Sequence, residues 1–384
     1  MVIKEELENN ISEVHENYFY KEFTFSLNNL TATGGDIEFA DNFVYLGEIA
    51  FVYQMKNRKK KEQPTTLDKE KKWFEKKVVG KGSKQIRDSI NVLKQKESFL
   101  LTNQRGHEVE IIPSTIKTLH KVIIYSPNDK LSSEYFNKKF HDSAEGGFIH
   151  LFPEQVYKGL AHALLTLTEL SDYLVFRETL IKRWGAEMND LTYVIEAALL
   201  GQYLHNDIES KPDNTYKEYY PKHVANQKST VQDWDMSGVL HKAFERAGGS
   251  EEYYFWMKEI AKLNRFELKE FKELWAKTMN QAFRNMACPP HFLISSRTKC
   301  GFVFLPILQA DTYRADKNLI SVVTAEKYRH KIDKCIGFSF LAGEGGFYDN
   351  QIMCDEFKWV PNQVLEKLVQ EGEELGHLRL LPMY

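Results

Sequence analysis

The chain has 384 residues, 42% apolar and 27% charged, with a formal net charge of −3. That length allows two domains or one large one, and that composition excludes disorder over the whole length. Whole-chain charge excludes no partner, but its distribution is uneven: from Lys56 to Glu97, 15 Lys/Arg stand against 6 Asp/Glu, a possible electrostatic footprint for phosphates or a solvated lysine-rich face.

In chain order, residues 3–19 place Ile3, Leu7, Ile11 and Val14 at helical spacing in an acidic segment. Residues 20–27 alternate like a strand, and 31–35 (TATGG) have turn chemistry. Two strand-like runs, 41–46 and 49–56, flank Gly47-Glu48. A charged loop is expected over 57–68, then a long basic helix over 69–97, interrupted near Gly80 and Gly82. Residues 108–112, 121–126 and 147–152 read as further strands. This αβββαβ-like order implies an α/β (α+β) fold, a mixed sheet flanked by helices.

After Pro153 a helix is expected over 154–184, with Gly185 ending it after Lys182 and Arg183. Another follows over 190–204, then a polar surface loop over 207–235 and an aromatic-rich helix over 251–285. Strands are expected at 292–295, 301–308, 319–324 and 335–341, and a last helix at 362–374. The predicted organisation is therefore a domain at 1–152, a helical region at 153–286 and a C-terminal α+β region at 287–384.

The chemistry-bearing segment is 36–58, DIEFADNFVYLGEIAFVYQMKNR. With Gly47-Glu48 as a two-residue type II′ loop, Leu46 faces Ile49, and counting outward sets Asp41 opposite Gln54. Opposed residues share a face, with Cβ atoms roughly 4.5–5.5 Å apart. Alternation puts Lys56 on the same face and Met55 on the other. A carboxylate, an amide oxygen and an ammonium group then converge at the open end of a hairpin. Asp41 and Gln54 supply hard oxygens suited to Mg²⁺, and Lys56 can orient water or offset phosphate charge. The plainer reading makes Asp41 a strand-start residue and Lys56 an edge-strand charge.

The set Asp41…Gln54-Met55-Lys56 resembles the core motif of the PD-(D/E)xK nuclease superfamily, in its Mrr-like Gln-x-Lys form. The resemblance spans roughly residues 10–130 and implies a restriction-endonuclease-like fold. It implies a nuclease using Mg²⁺ or Mn²⁺ and acting on DNA, with a place in antiviral defence or restriction. From the helix before the hairpin it implies Glu16 as a further metal ligand, with Glu13 second. In the segment after the triplet, Lys84 and Gln85, with Arg58 and Lys81, become substrate-binding candidates. Glu38 is a reserve that joins only through a bulge. Ala40 stands where the family has Pro, and Gln54 removes one formal charge from the metal shell. The alternative is thus an inactive module of the same fold that binds nucleic acid or a partner protein. An RNA substrate is a third reading, and a homo-oligomer is compatible with each.

Cys288, Cys300, Cys335 and Cys354 show no CxxC spacing and read as reduced thiols. The acidic start, Met1 to Asn10, is unlike a signal peptide. No uncharged apolar run approaches the ~18–20 residues of a membrane span. A cytoplasmic location and no membrane partner are expected. Gly80-Lys81-Gly82-Ser83 lacks the phosphate-loop frame and reads as a helix break. Gly343-Glu344-Gly345-Gly346 reads as a loop, and His141, His150 and His162 lack metal-ligand spacing. The stretch Tyr253 to Trp256 reads as helical core rather than a base-stacking platform.

Overall fold

The computed structural model describes residues 6–26, 29–32, 35–58, 66–236, 240, 245, 250–342 and 348–374. The chain forms two units, Met1–Ser229 and Thr230–Tyr384, so the helical stretch after residue 153 begins within the first.

The first unit opens with α1 (Glu6–Tyr18), β1 (Thr24–Ser26), the pair β2 (Asn29–Ala32) and β3 (Gly35–Glu38), and the hairpin β4 (Asn42–Tyr45) and β5 (Ile49–Lys56). A continuous helical column follows: α2 (Leu67–Trp73), a π-helical segment Phe74–Lys81, and α3 (Gly82–Gln95). Then come β6 (Phe99–Thr102), β7 (Glu108–Ile111), β8 (Thr118–Tyr125), α4 (Ser133–Phe136), β9 (Phe140–Ser143) and β10 (Gly147–Pro153). Helices α5 (Glu154–Leu164), α6 (Leu167–Trp184), α7 (Glu196–Leu204) and α8 (Tyr219–Trp234) complete it, and the point of division falls inside the last.

The main sheet has the order β1-β4-β5-β8-β10-β9. Its centre is parallel, β5 with β8 and β8 with β10, and its flanks are antiparallel. A strand buried on both faces reads as an unbroken apolar run, which is why IAFVYQMK lacks polar alternation. Even so, its side chains alternate between two layers. Val52, Ile123, Tyr125 and Leu151 pack with Trp73, Phe74, Val78 and Ile86 of the helical column. Tyr53, His120 and His150 point the other way, toward α1, α5 and α6: His15 lies 4.4 Å from the Tyr53 ring, and His120 Nε2 is 2.8 Å from Ser171 Oγ. The mixed sheet flanked by helices is the architecture that the element order implied.

The second unit holds α9 (Glu251–Ala261), α10 (Arg265–Phe283), β11 (His291–Ile294), β12 (Cys300–Ile307), α11 (Ala315–His330), β13 (Lys334–Ala342), β14 (Tyr348–Asp355) and α12 (Gln363–Glu374). Its sheet runs β11-β12-β13-β14. Phe271 and Trp275 of α10 cover one face, against Phe302, Phe304 and Phe338, and α11 covers the other through Leu319, Val322 and Val323. Tyr253 and Trp256 are core residues, as their helical setting suggested.

Several expectations are corrected. LISVVT is not a strand; it lies within α11, where Leu319, Val322 and Val323 sit at i, i+3 and i+4 and bury one helical face. The surface loop over 207–235 contains a 3₁₀ turn, Asn214–Glu218, and α8. The helix over 154–184 is two, because Thr166 caps α6 by accepting from Glu169 N. Gly80 and Gly82 do not interrupt the basic helix; the backbone crosses Gly80 in a π segment, and Gly82 opens α3. Strands β6, β9 and β14 carried no sequence signal, whereas β7 falls within the run expected at 108–112. Residues 343–346 lie outside the described residues.

Candidate active site

Gly47 has φ +76°, in the left-handed region that favours glycine, and Leu46 N donates to Ile49 O at 2.9 Å. The reversal therefore sits at Gly47-Glu48, and the register runs Tyr45↔Ala50, Val44↔Phe51, Phe43↔Val52, Asn42↔Tyr53. Asp41 is the next residue, one step beyond the last ladder pair. Its carboxylate takes over where β4 stops, and Oδ2 accepts from Met55 N.

Lys56 extends from the end of β5 onto the same carboxylate. Its Nζ lies 3.3 Å from Asp41 Oδ2, 3.1 Å from Gln54 Oε1 and 2.8 Å from Met55 O. Only 5% of Asp41, 1% of Gln54 and 8% of Lys56 is exposed, so this is a largely dehydrated cluster. In such surroundings charge-assisted hydrogen bonds gain strength, and an unpaired partner becomes expensive.

A helix roofs the cluster. A Cβ on Gly82 would lie 2.8 Å from Ile123 Cδ1, and Ile123 is the β8 neighbour of Gln54. Two turns on, Ser89 Oγ donates to Phe39 O, two residues before Asp41. Helix α3 thus crosses from β8 to the entry of β4, and residues 83–86 lie over β5 between them. A seven-residue span of helix is about 10 Å long, matching two strand spacings. Within that span, Ser83 Oγ and Gln85 Oε1 are buried oxygens with no hydrogen-bond partner. Ser83 was invisible to motif reading; the small residues Gly82 and Ser89, seven apart and so on one helix flank, signal only the close approach to the sheet.

The remaining candidates stand elsewhere. Glu16 pairs with Lys21 at 3.4 Å, on a helix whose His15 packs against Tyr53, on the sheet face opposite Gln54. Lys81 and Lys84 are exposed, with Lys69, Lys72, Lys76 and Lys77, and give the helical column a basic outer surface. Arg58 is tied to the buried Glu70 by an ion pair and stacks 3.9 Å from the centroid of the Trp73 ring. It clamps the end of β5 to α2. Burial pushes the Glu70 carboxyl up, and the Arg58 guanidinium opposes that shift. Glu38 ends β3, opposite Asn29, in a two-stranded ribbon separate from the main sheet.

Among the described residues no three His, Cys, Asp or Glu side chains gather as a metal-holding group. The oxygens shown together are those of Asp41 and Gln54 on Lys56 Nζ; Ser83 Oγ and Gln85 Oε1 are buried and unpartnered on the helix that crosses β5. This all-oxygen set has one carboxylate. It fits Mg²⁺, which keeps waters and takes one or two carboxylates plus substrate phosphate, and it does not fit a tightly held structural ion. The described helices include none long and apolar enough to cross a membrane. Comparison of the chain with protein-family models, curated proteins and solved structures finds no match.

Proposed function

We propose that the first unit is a divalent-cation-dependent phosphodiesterase acting on nucleic acid, with DNA as the first substrate to test. The observation that carries this is the Lys56 ammonium 3.3 Å from Asp41 and 3.1 Å from Gln54, at the strand ends of a mixed sheet. The likeness of the triplet to PD-(D/E)xK nucleases, in the Gln form, supports the same reading. The exposed lysines of the helical column supply sequence-independent attraction for a phosphate backbone.

In this reading Asp41 and Gln54 hold the ion, which when bound polarises a phosphoryl oxygen as a Lewis acid. Lys56 donates from Nζ to a phosphate oxygen or to the attacking water, its position fixed by Asp41 Oδ2 and Met55 O. Gln85 Oε1 accepts a hydrogen bond from that water or from a base edge. Helix α3 and the burial of the cluster limit how many waters compete. A role in antiviral defence or restriction rests on the likeness alone.

The test is incubation of the whole chain with plasmid DNA or single-stranded RNA, in Mg²⁺, Mn²⁺ or a chelator. Metal-dependent cleavage that disappears in Lys56→Ala supports the reading, and the substrate cleaved decides between DNA and RNA. A second reading has its own observation: Asp41 already substitutes for a missing strand acceptor and Lys56 already neutralises it, which is a complete structural role. DNA retained on a gel without cleavage under any metal selects that reading, a binding module of nuclease-like design.

A further inference from the structure

A second buried ionic cluster lies in the first unit, on residues that the proposed hydrolysis does not use. Arg177 is fully buried in α6 and grips Glu196 of α7 with two nitrogens, Nε to Oε1 at 2.6 Å and Nη2 to Oε2 at 3.2 Å. Its Nη1 lies 3.0 Å from His150 Nδ1, and Tyr173 adds its hydroxyl to Glu196 Oε1. His150 accepts from a cation there and is held well below its ordinary pKa by burial and by Arg177, so it brings no charge. Glu196 is therefore satisfied before any other group approaches.

Lys139 approaches all the same. Only 3% of it is exposed, and its Nζ stands 3.5 Å from Glu196 Oε2, a loose contact for a buried ammonium. Two cations thus share one carboxylate. Lys139 and Glu196 also line a cavity of about 290 Å³ at the carboxyl end of β10, with Leu151 and Pro153. Lys138 adds a second cation to its wall, Glu196 is the one acid among the described lining residues, and Leu151, Leu160 and Leu200 provide an apolar side. The volume is near the lower end of small-ligand sites, ~300–1,000 Å³. A dehydrated cation that lacks a full partner is costly to keep, and a cavity beside it is where the missing anion fits.

We propose that this cavity binds a small amphipathic anion, a carboxylate or phosphate ester on an apolar body, whose charge pairs with Lys139. The headgroup meets the ammonium at the floor and the body lies along the leucines.

Full-length protein titrated calorimetrically with octanoate and with hexyl phosphate tests this, with octanamide and hexanol as neutral counterparts. One saturable site is expected for at least one anion, at least tenfold tighter than its neutral counterpart, and the anion that binds identifies the headgroup. Lys139→Met should weaken binding at least tenfold. A second variant leaves the charges alone: Gly159 lines the cavity inside α5, and a Cβ there meets the Tyr220 hydroxyl at 3.6 Å, an ordinary contact. Gly159→Leu should fold, since it improves helix propensity, and should abolish binding by occupying the space. The proposal is overturned if neither anion binds, if the neutral counterparts bind as tightly, or if both variants bind like the parent.

Discussion

Lys56 has exchanged most of its water for oxygens of its own chain, and Asp41 depends on it for a countercharge. Removing the ammonium leaves a carboxylate that is 5% exposed, answered among the described residues by the Met55 N–H. We expect Lys56→Met to lower unfolding free energy by about 3 kcal/mol, the low end for breaking a buried pair. If the phosphodiesterase reading holds, the same variant loses about 10²–10³ in rate. Urea melts and cleavage assays read the two effects separately. A variant as stable as the parent would show that no such pair forms. Asp41→Asn is expected to be milder than Asp41→Ala, because an amide oxygen still accepts from Met55 N. The three residues were legible because a turn glycine and a period of two fix which side chains share a face. Glu16 came from likeness alone, and its ion pair with Lys21 depends on where α1 packs, which no local pattern encodes. Arg58 read as a substrate-binding candidate; its partners Glu70 and Trp73 lie 12 and 15 residues on, with no pattern linking them.

Helix α3 sets the roof height of the cluster, and one contact sets its distance: Gly82 against Ile123. Gly82→Ala gains about 0.5–1 kcal/mol of helix propensity, but must push Ile123 Cδ1 away. Ile123→Val removes that methyl and by itself costs about 0.5–1.5 kcal/mol. The two changes should couple: Ile123→Val is expected to cost less, or nothing, in the Gly82→Ala background, with an interaction of at least about 0.5 kcal/mol. Strict additivity in chemical denaturation would mean that the helix does not rest on Ile123. Gly82→Val adds bulk that one methyl cannot accommodate and should lose about 1–3 kcal/mol. The sequence showed this helix but misread its glycines as a break, since glycine for close approach and glycine for termination look alike in one dimension. LISVVT failed for a related reason: β-branched residues favour strands, yet the spacing of Leu319, Val322 and Val323 is helical, and packing on β12 and β13 decides.

Across the whole molecule, acid should reach the first unit before the second. Among the described residues the fully buried histidines, His15, His120 and His150, all belong to the first unit. Burial holds His15 at a pKa of about 4 and His120 at about 3, and His150 well below its usual value. A histidine whose folded pKa lies below its unfolded value near 6.5 binds protons more readily once unfolded. Stability is then complete above about pH 6.5 and falls as pH drops toward the folded value. Between pH 6.5 and 4, His15 alone withdraws about 3 kcal/mol, at about 1.4 kcal/mol per unit. With His120 contributing alike, the loss rivals the ~5–15 kcal/mol of a whole domain. Glu196, held low by Arg177 and Lys139 against its burial, adds in the same sense at lower pH, and Glu70, pushed up, opposes it. This division of the chain was not legible, because it falls inside α8, whose sequence YYPKHVANQKSTVQDW is mostly polar and marks no linker. Hydrogen-exchange mass spectrometry from pH 7 to 4.5, corrected for intrinsic rates, should show protection lost first in β5, β8 and β10 while β12 and β13 stay protected. His15→Gln should flatten that dependence. Equal loss in both sheets, or none in the first, would remove the buried histidines as its cause.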